Sequence, residues 1–254
     1  MPLSEKQEAL CANHGFDFSD LKALFINTTL KSAAQGESHT EALMNNAMEI
    51  MEKNGVTVDY LRAADHTLAF GVYPDMREHG AQHDDWPDIY WPKVRDADIL
   101  VIGTPLWLGE ESSICRVIIE RLYAHSGQVN DKGQYVFYGR TGGCIITGNE
   151  DGVKHASMSL LYAMQHVGYT IPPQADCGWI GEIGPGPSYG DIVDGSDTPI
   201  GYDNDFTNQN TTIMTWNLMH TAKLLSDVGG FPAGGNSAAA WPDVTNAADQ
   251  VPDA

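Results

Sequence analysis

Three short stretches of this chain concentrate groups able to grip a ligand. The first, Asn27 to Thr40 (NTTLKSAAQGESHT), carries hydroxyls at Thr28, Thr29, Ser32, Ser38 and Thr40, a cation at Lys31 and an imidazole at His39. Hydroxyls, backbone N–H groups and the positive end of a helix beginning near Ser38 are what a phosphate needs, and they act at contact range even in an acidic protein. Ser38 and Glu41 equally spell a capping box, S-x-x-E, which would make the serine structural. The second stretch, Thr104 to Ser113 (TPLWLGEESS), sets Pro105, Leu106, Trp107 and Leu108, followed by Gly109, at a strand end where polar turn residues are expected. Apolar groups at such a mouth are unfavourable in water unless a flat apolar ring or a partner subunit covers them. The third, Thr147 to Gly152 (TGNEDG), reads either as a turn aiming backbone N–H groups and the Asn149 amide at the same rim, or as a plain αβ turn with Asp151 capping the next helix. One loop for a phosphate, one for a flat ring and one for the polar edge of a heterocycle describe a mononucleotide with a large ring system. Flavin mononucleotide (FMN) fits that description.

Other constellations carry less. His79, His83, Asp84 and Asp85 would set two imidazoles one helical turn apart beside two carboxylates, but no third ligand cluster supports a metal, so a solvated acidic loop is expected and no metal site. Ser112 and Ser113 lack a G-x-S-x-G elbow, which removes a hydrolase. Neither a GxGxxG fingerprint nor a GxxxxGK[ST] loop is present, which argues against a classical dinucleotide fold or an NTPase. Trp86, Tyr90 and Trp91 are expected to pack the segment around them.

The elements that must position the three stretches alternate. Lys22 to Asn27 (KALFIN), Thr57 to Leu61, Ile99 to Thr104, Gly143 to Thr147 and Cys177 to Ile180 read as strands, most of them apolar throughout. Helical spacing marks Glu41 to Lys53 (Leu43, Ala47, Ile50, Met51), Glu111 to Ala124 (Ile114, Val117, Ile118, Leu122), the stretch after Asp151 (Met158, Leu161, Tyr162 and Gln165 on one face) and Thr207 to Asp227. The pattern predicts an α/β fold with a parallel sheet and helices on both faces. In an open sheet of that kind ligands bind beyond the carboxyl ends of the strands, where all three stretches fall. The expected organisation is a leader over 1–20, one domain over 21–228 with long insertions at 62–98 and 184–206, and a loose tail over 229–254.

With 34 acidic against 14 basic residues the formal charge is −20, which disfavours phosphate backbones and anionic lipid surfaces as partners; nucleic acid and membranes are not expected. The longest nearly apolar run, Ile99 to Gly109, is too short to span a bilayer, and the N-terminal residues lack a signal pattern, so a cytoplasmic protein is expected. Cys11, Cys115, Cys144 and Cys177 form no CxxC pair, so neither a zinc site nor a dithiol redox motif is expected, and Cys115 and Cys144, set among apolar residues, read as buried core residues.

From Lys22 to Gly184 the chain resembles the NAD(P)H-dependent FMN reductases, which have a flavodoxin-like fold. The resemblance rests on NTTLKS with SHTEAL, on DDW at Asp84 to Trp86, on DADILVIGTPLWLG with its downstream ERL, and on TGNEDG followed by GWIGEIGPG. It implies a doubly wound five-stranded parallel sheet of order 2-1-3-4-5 and non-covalent FMN reduced by NADPH or NADH, with a quinone, free flavin or other small molecule as acceptor. Residue by residue, it implies that Thr29, Lys31, Ser38, His39 and Thr40 hold the phosphate. Pro105, Leu106, Trp107, Leu108 and Gly109 would lie along the isoalloxazine, and Thr147, Gly148, Asn149 and Gly152 would approach its edge. No catalytic acid or base is assigned, because hydride transfer between stacked rings asks the protein for position, water exclusion and backbone donors. The resemblance also implies a homo-oligomer, with the flavin site at a subunit interface. A flavodoxin-like electron carrier serving a protein partner is the alternative, which the −20 charge would suit.

Overall fold

An apolar run with little polar interruption is stable only when both its faces are covered, and the first strand, β1 (Lys22–Asn27), shows this: all but Lys22 are buried. In the computed structural model, which describes residues 3–181, 184, 186–237 and 240, β1 is flanked by β2 (Thr57–Arg62) and β3 (Ile99–Trp107), and the sheet continues through β5 (Thr141–Gly148) to β6 (Asp176–Ile180). These strands run parallel in the order β2-β1-β3-β5-β6. Counting the parallel strands alone, that is the expected order 2-1-3-4-5. A two-residue strand, β4 (Glu110–Glu111), folds back antiparallel on the end of β3 and pairs Leu106 with Glu111 and Trp107 with Glu110.

Helices cover both faces. α2 (His39–Lys53) and α6 (Asp205–Asp227) bury Leu43, Met44, Ile50, Met214 and Leu218 against one side of the sheet. α3 (Trp91–Asp96), α4 (Ser113–Tyr123) and α5 (Val153–Val167) bury Val94, Ile118, Leu122, Leu160 and Met164 against the other. A further helix, α1 (Glu5–Ala12), lies in the segment expected as a leader; its Gln7 is buried and donates to Asn46 Oδ1 at 2.8 Å.

Three expectations are corrected. β3 runs on to Trp107 instead of ending at Thr104, because its ladder with β5 continues through Pro105 opposite Thr147, and Leu106 and Trp107 then pair with β4. Asp151 is exposed and does not cap α5; Gly152, at φ 121°, occupies the cap position. The stripe Met158, Leu161, Tyr162 and Gln165 is not the core side of α5. Met158 and Tyr162 are 62% and 65% exposed, while Val153, Ala156, Leu160, Met164 and Val167 point inward.

The long insertion over 62–98 is built around its aromatics. Trp86 and Tyr90 are fully buried and stacked at 5.6 Å, and the Trp86 indole donates to Nε2 of His125 at 2.9 Å. Trp91 lies flat on the same imidazole, ring centres 3.5 Å apart. Asp84 is no solvated loop residue: it is buried, with its carboxylate on Arg121 at 2.7 Å and on the N–H groups of Met76 and Trp86 at 3.1 and 3.2 Å. Among the described residues no cluster of His, Cys, Asp and Glu is placed to hold a metal ion.

Burial lowers the His125 pKa to about 4, with nearby Arg121 acting in the same direction. The unfolded chain takes up that proton near pH 6.5, so between pH 6.5 and 4 the unfolded state binds more protons and stability falls with falling pH, by up to about 1.4 kcal/mol per pH unit from this residue. Urea unfolding at a series of pH values is expected to show a shallower dependence in that window for His125→Gln than for the parent chain.

Candidate functional site

The carboxyl ends of β1, β3 and β5 meet at one rim, and hydrogen bonds tie the loops leaving them to one another. After β1, Thr28 donates through both its N–H and its hydroxyl to Gly103 O, each at 2.8 Å. Its own carbonyl accepts the hydroxyl of Ser112, the N-cap of α4, at 2.6 Å. Ser112 N–H in turn donates to Thr104 Oγ1 at 3.0 Å. Thr40, in the first turn of α2, is hydrogen-bonded to Thr147 at the end of β5, the two hydroxyl oxygens being 2.7 Å apart. The first loop is therefore braced against both of the others.

Within that frame the hydroxyl-bearing residues come together. Ser38 and Thr40 are buried at the start of α2, whose first N–H groups have no partner inside the helix, and Thr29 is buried in the loop that leaves β1. Lys31, two residues after Thr29 in the same loop, is exposed. Ser38 caps α2 by accepting Glu41 N–H at 3.1 Å, as the capping-box spacing suggested, but Glu41 faces Arg62 at 3.3 Å instead of reaching back. Arg62, buried at the end of β2, also donates to Gly36 O at 3.2 Å and so holds the loop from below. A strand-end arginine in a chain with few cations was the available signal for it.

The ring-side loops are packed backbone on backbone. Leu108 (φ 54°) and Gly109 turn the β3–β4 hairpin, and a carboxylate oxygen of Glu150 accepts the Leu108 N–H. A β-carbon added at Gly152 would lie 2.6 Å from Gly109 Cα, and one at Gly148 would lie 2.7 Å from Leu106 Cβ, so both glycines are needed for the approach. Trp107 and Leu108 are 52% and 91% exposed at the hairpin tip; Pro105 is partly covered and Leu106 is buried in the core. Leu106 thus supports the hairpin from beneath, whereas Trp107 and Leu108 present apolar surface at the rim. Beyond the hairpin, Glu110, Arg116, His155, Met158 and Tyr162 line a shallow hollow of about 640 Å³.

Two of the expected residues are engaged with the segment 186–202 and not with the rim alone. His39 accepts the Gly190 N–H at its Nδ1 (2.7 Å) and approaches Asp191 at 3.6 Å. Asn149 donates to Gly186 O and, at 3.5 Å, to Ser188 Oγ, leaving its own Oδ1 buried without a partner. The Gly/Pro-rich insertion is consequently strapped to the first and third loops, and Tyr189 anchors it in the core with no exposed surface. Nothing in that run of polar and glycine residues marks Tyr189 as a core residue. The donor set (buried hydroxyls, a helix start, one lysine) fits a phosphate, and the exposed Trp107–Leu108 tip beside it fits a flat apolar ring.

Residues 22–178 match the family described as NADPH-dependent FMN reductase. The chain is 33% identical over 212 residues to 8-demethyl-8-aminoriboflavin-5'-phosphate synthase of Streptomyces davaonensis, covering 82% of this chain and 79% of that protein. A crystal structure of RosB with bound 8-demethyl-8-formylriboflavin-5'-phosphate superposes with a TM-score of 0.72 at 30% identity, over 90% of this chain and 85% of that one. A protein named divalent metal cation transporter MntH, of Mycobacterium bovis, is 58% identical over 208 residues, and there the chain spans only 29% of its relative's length. Among the described residues no helix is long and apolar enough to cross a membrane. On these matches and this sheet order, the chain belongs to the NADPH-dependent FMN reductase family of flavin-dependent oxidoreductases and has the flavodoxin-like fold.

Proposed function

We propose that this protein holds FMN at the rim described above and passes hydride from NADPH or NADH to it, and from it to a small acceptor such as a quinone or a free flavin. The observation that carries this reading is the mutual bracing of the three loops, which sets a hydroxyl cradle and an apolar hairpin tip on one edge of the sheet. In that arrangement Thr29, Lys31, Ser38 and Thr40 hold the phosphate, with His39 beside them as the tie to the strap. Trp107, Leu108 and Gly109 line the ring, supported by Pro105 and Leu106, and the turn from Thr147 through Gly148 and Asn149 to Gly152 borders its edge. Bound FMN supplies the two-electron chemistry; the side chains position, desolvate and donate hydrogen bonds. The riboflavin-phosphate ligand of the RosB structure supports a phosphorylated flavin here too.

The proposal includes a homo-oligomer in which a second copy covers Trp107, Leu108 and the outward stripe of α5 at Met158 and Tyr162, all exposed in the single chain. It also includes a cytoplasmic setting, which the four unpaired cysteines support. The test is a visible spectrum of the purified protein with FMN, before and after anaerobic NADPH and then NADH, followed by turnover with a quinone. Flavin absorbance that bleaches, with continuous turnover, is the expected result. Bound flavin that neither nucleotide reduces would replace the enzyme by an electron carrier. Failure to bind flavin would remove the reading altogether.

A further inference from the structure

We infer that Asn27, the last residue of β1, is a positioning residue that makes the phosphate cradle an obligate set of donors and thereby gives the site its selectivity for a phosphorylated flavin. The side chain is wholly buried and makes three polar contacts. Its amide nitrogen donates to Ser38 Oγ at 3.2 Å and to the Tyr60 hydroxyl at 3.0 Å, and its carbonyl oxygen accepts the Thr29 N–H at 3.0 Å. Only one orientation of the amide works, because turning it over would set an NH2 group against the Thr29 N–H.

That orientation has a chemical result at Ser38. A serine oxygen has two lone pairs and one proton. Both acceptor directions of Ser38 are in use, one by Asn27 and one by Glu41 N–H at 3.1 Å. The hydroxyl is left with its proton alone to offer, and an anion at the start of α2 is the partner for such a proton. The same amide pins Thr29, so one buried group sets the proton direction on one side of the loop and the backbone path on the other. An aspartate at position 27 would reverse this: it would accept from Ser38, turn that proton inward and add a negative charge beside the phosphate.

The inference rests on FMN occupying this rim, and the test separates the two ideas by comparing FMN with riboflavin, which lacks the phosphate. Dissociation constants are measured by flavin fluorescence for the parent chain, Asn27→Asp and Ser38→Ala, with thermal unfolding of each. Asn27→Asp is expected to weaken FMN by roughly 100-fold and Ser38→Ala by roughly tenfold, as loss of hydrogen bonds to a charged group requires, while riboflavin changes by less than about threefold. Combining the two substitutions is expected to weaken FMN no further than Asn27→Asp alone, since both act on one proton. A parent chain that binds no flavin overturns the FMN reading together with this one. A parent that prefers FMN, with variants that keep the preference or lose both ligands equally, overturns the role of Asn27 and leaves the FMN reading intact. If Asn27→Asp does not fold, Ser38→Ala decides: unchanged preference for FMN overturns the inference.

Discussion

Asp84→Ala is expected to lower the unfolding free energy by roughly 3–5 kcal/mol, the cost of leaving a buried charge without its partner. Arg121, fully buried on α4, has that carboxylate as its counter-ion at 2.7 Å, and its Nε and Nη1 already lack acceptors. Burial lowers the Arg121 pKa while Asp84 opposes the shift, yet a guanidinium stays charged, so relief by neutralisation is closed. The loss extends beyond the ion pair, because the same carboxylate receives N–H groups from Ala69, Met76 and Trp86 and so shapes the insertion over 62–98. Urea unfolding checks the value. The double variant Asp84→Leu with Arg121→Met is expected to recover part of the loss, since it removes the stranded charge but still leaves those N–H groups unmet. A double variant as unstable as Asp84→Ala would show that the N–H groups, and not the charge, dominate.

Gly152→Ala is expected to have a large effect on the site for a change of a single methyl group. The new β-carbon would lie 2.6 Å from Gly109 Cα and 2.8 Å from Gly109 O, both backbone atoms that no rotamer change can move aside. The position also has φ 121°, where a side chain adds strain of roughly 1–3 kcal/mol. The hairpin and the TGNEDG turn must then part, breaking the contact of Glu150 with the Leu108 N–H. On the proposed placement of FMN, flavin affinity is expected to fall roughly 10–100-fold, for riboflavin as much as for FMN, because the loops proposed to line the ring, and not those proposed to hold the phosphate, lose their packing. Gly36→Ala is the matching control: it has φ 126° but nothing within 4 Å of an added carbon, so it should show the strain without the parting of loops.

Much of the frame was legible because its signals are local. KALFIN is one apolar run, and β1 spans those residues; Leu43, Ala47, Ile50 and Met51 repeat at helical spacing, and all four are buried on α2. What escaped depends on partners distant in sequence. α5 carries two apolar stripes, and periodicity alone does not tell that Val153, Leu160 and Met164 face the sheet while Met158 and Tyr162 face out. Threonine and proline at 104–105 read as a strand end, yet β5 lies alongside both and β4 then pairs with the two residues beyond them. Within the site, the hydroxyl loop was visible as composition, but its organiser Asn27 was hidden as the last letter of an apolar strand. Its role exists only once Thr29, Ser38 and Tyr60 surround it.

Tyr189 gives the segment 186–202 an energy of opening as well as a place. To swing aside, the segment must lift this ring out of the interior and release Gly190 from His39. Exposing a buried aromatic ring costs roughly 3 kcal/mol, which leaves about one molecule in a hundred open at any instant. In the energetics of its opening, a run of glycine, proline and aspartate thus behaves as part of the core.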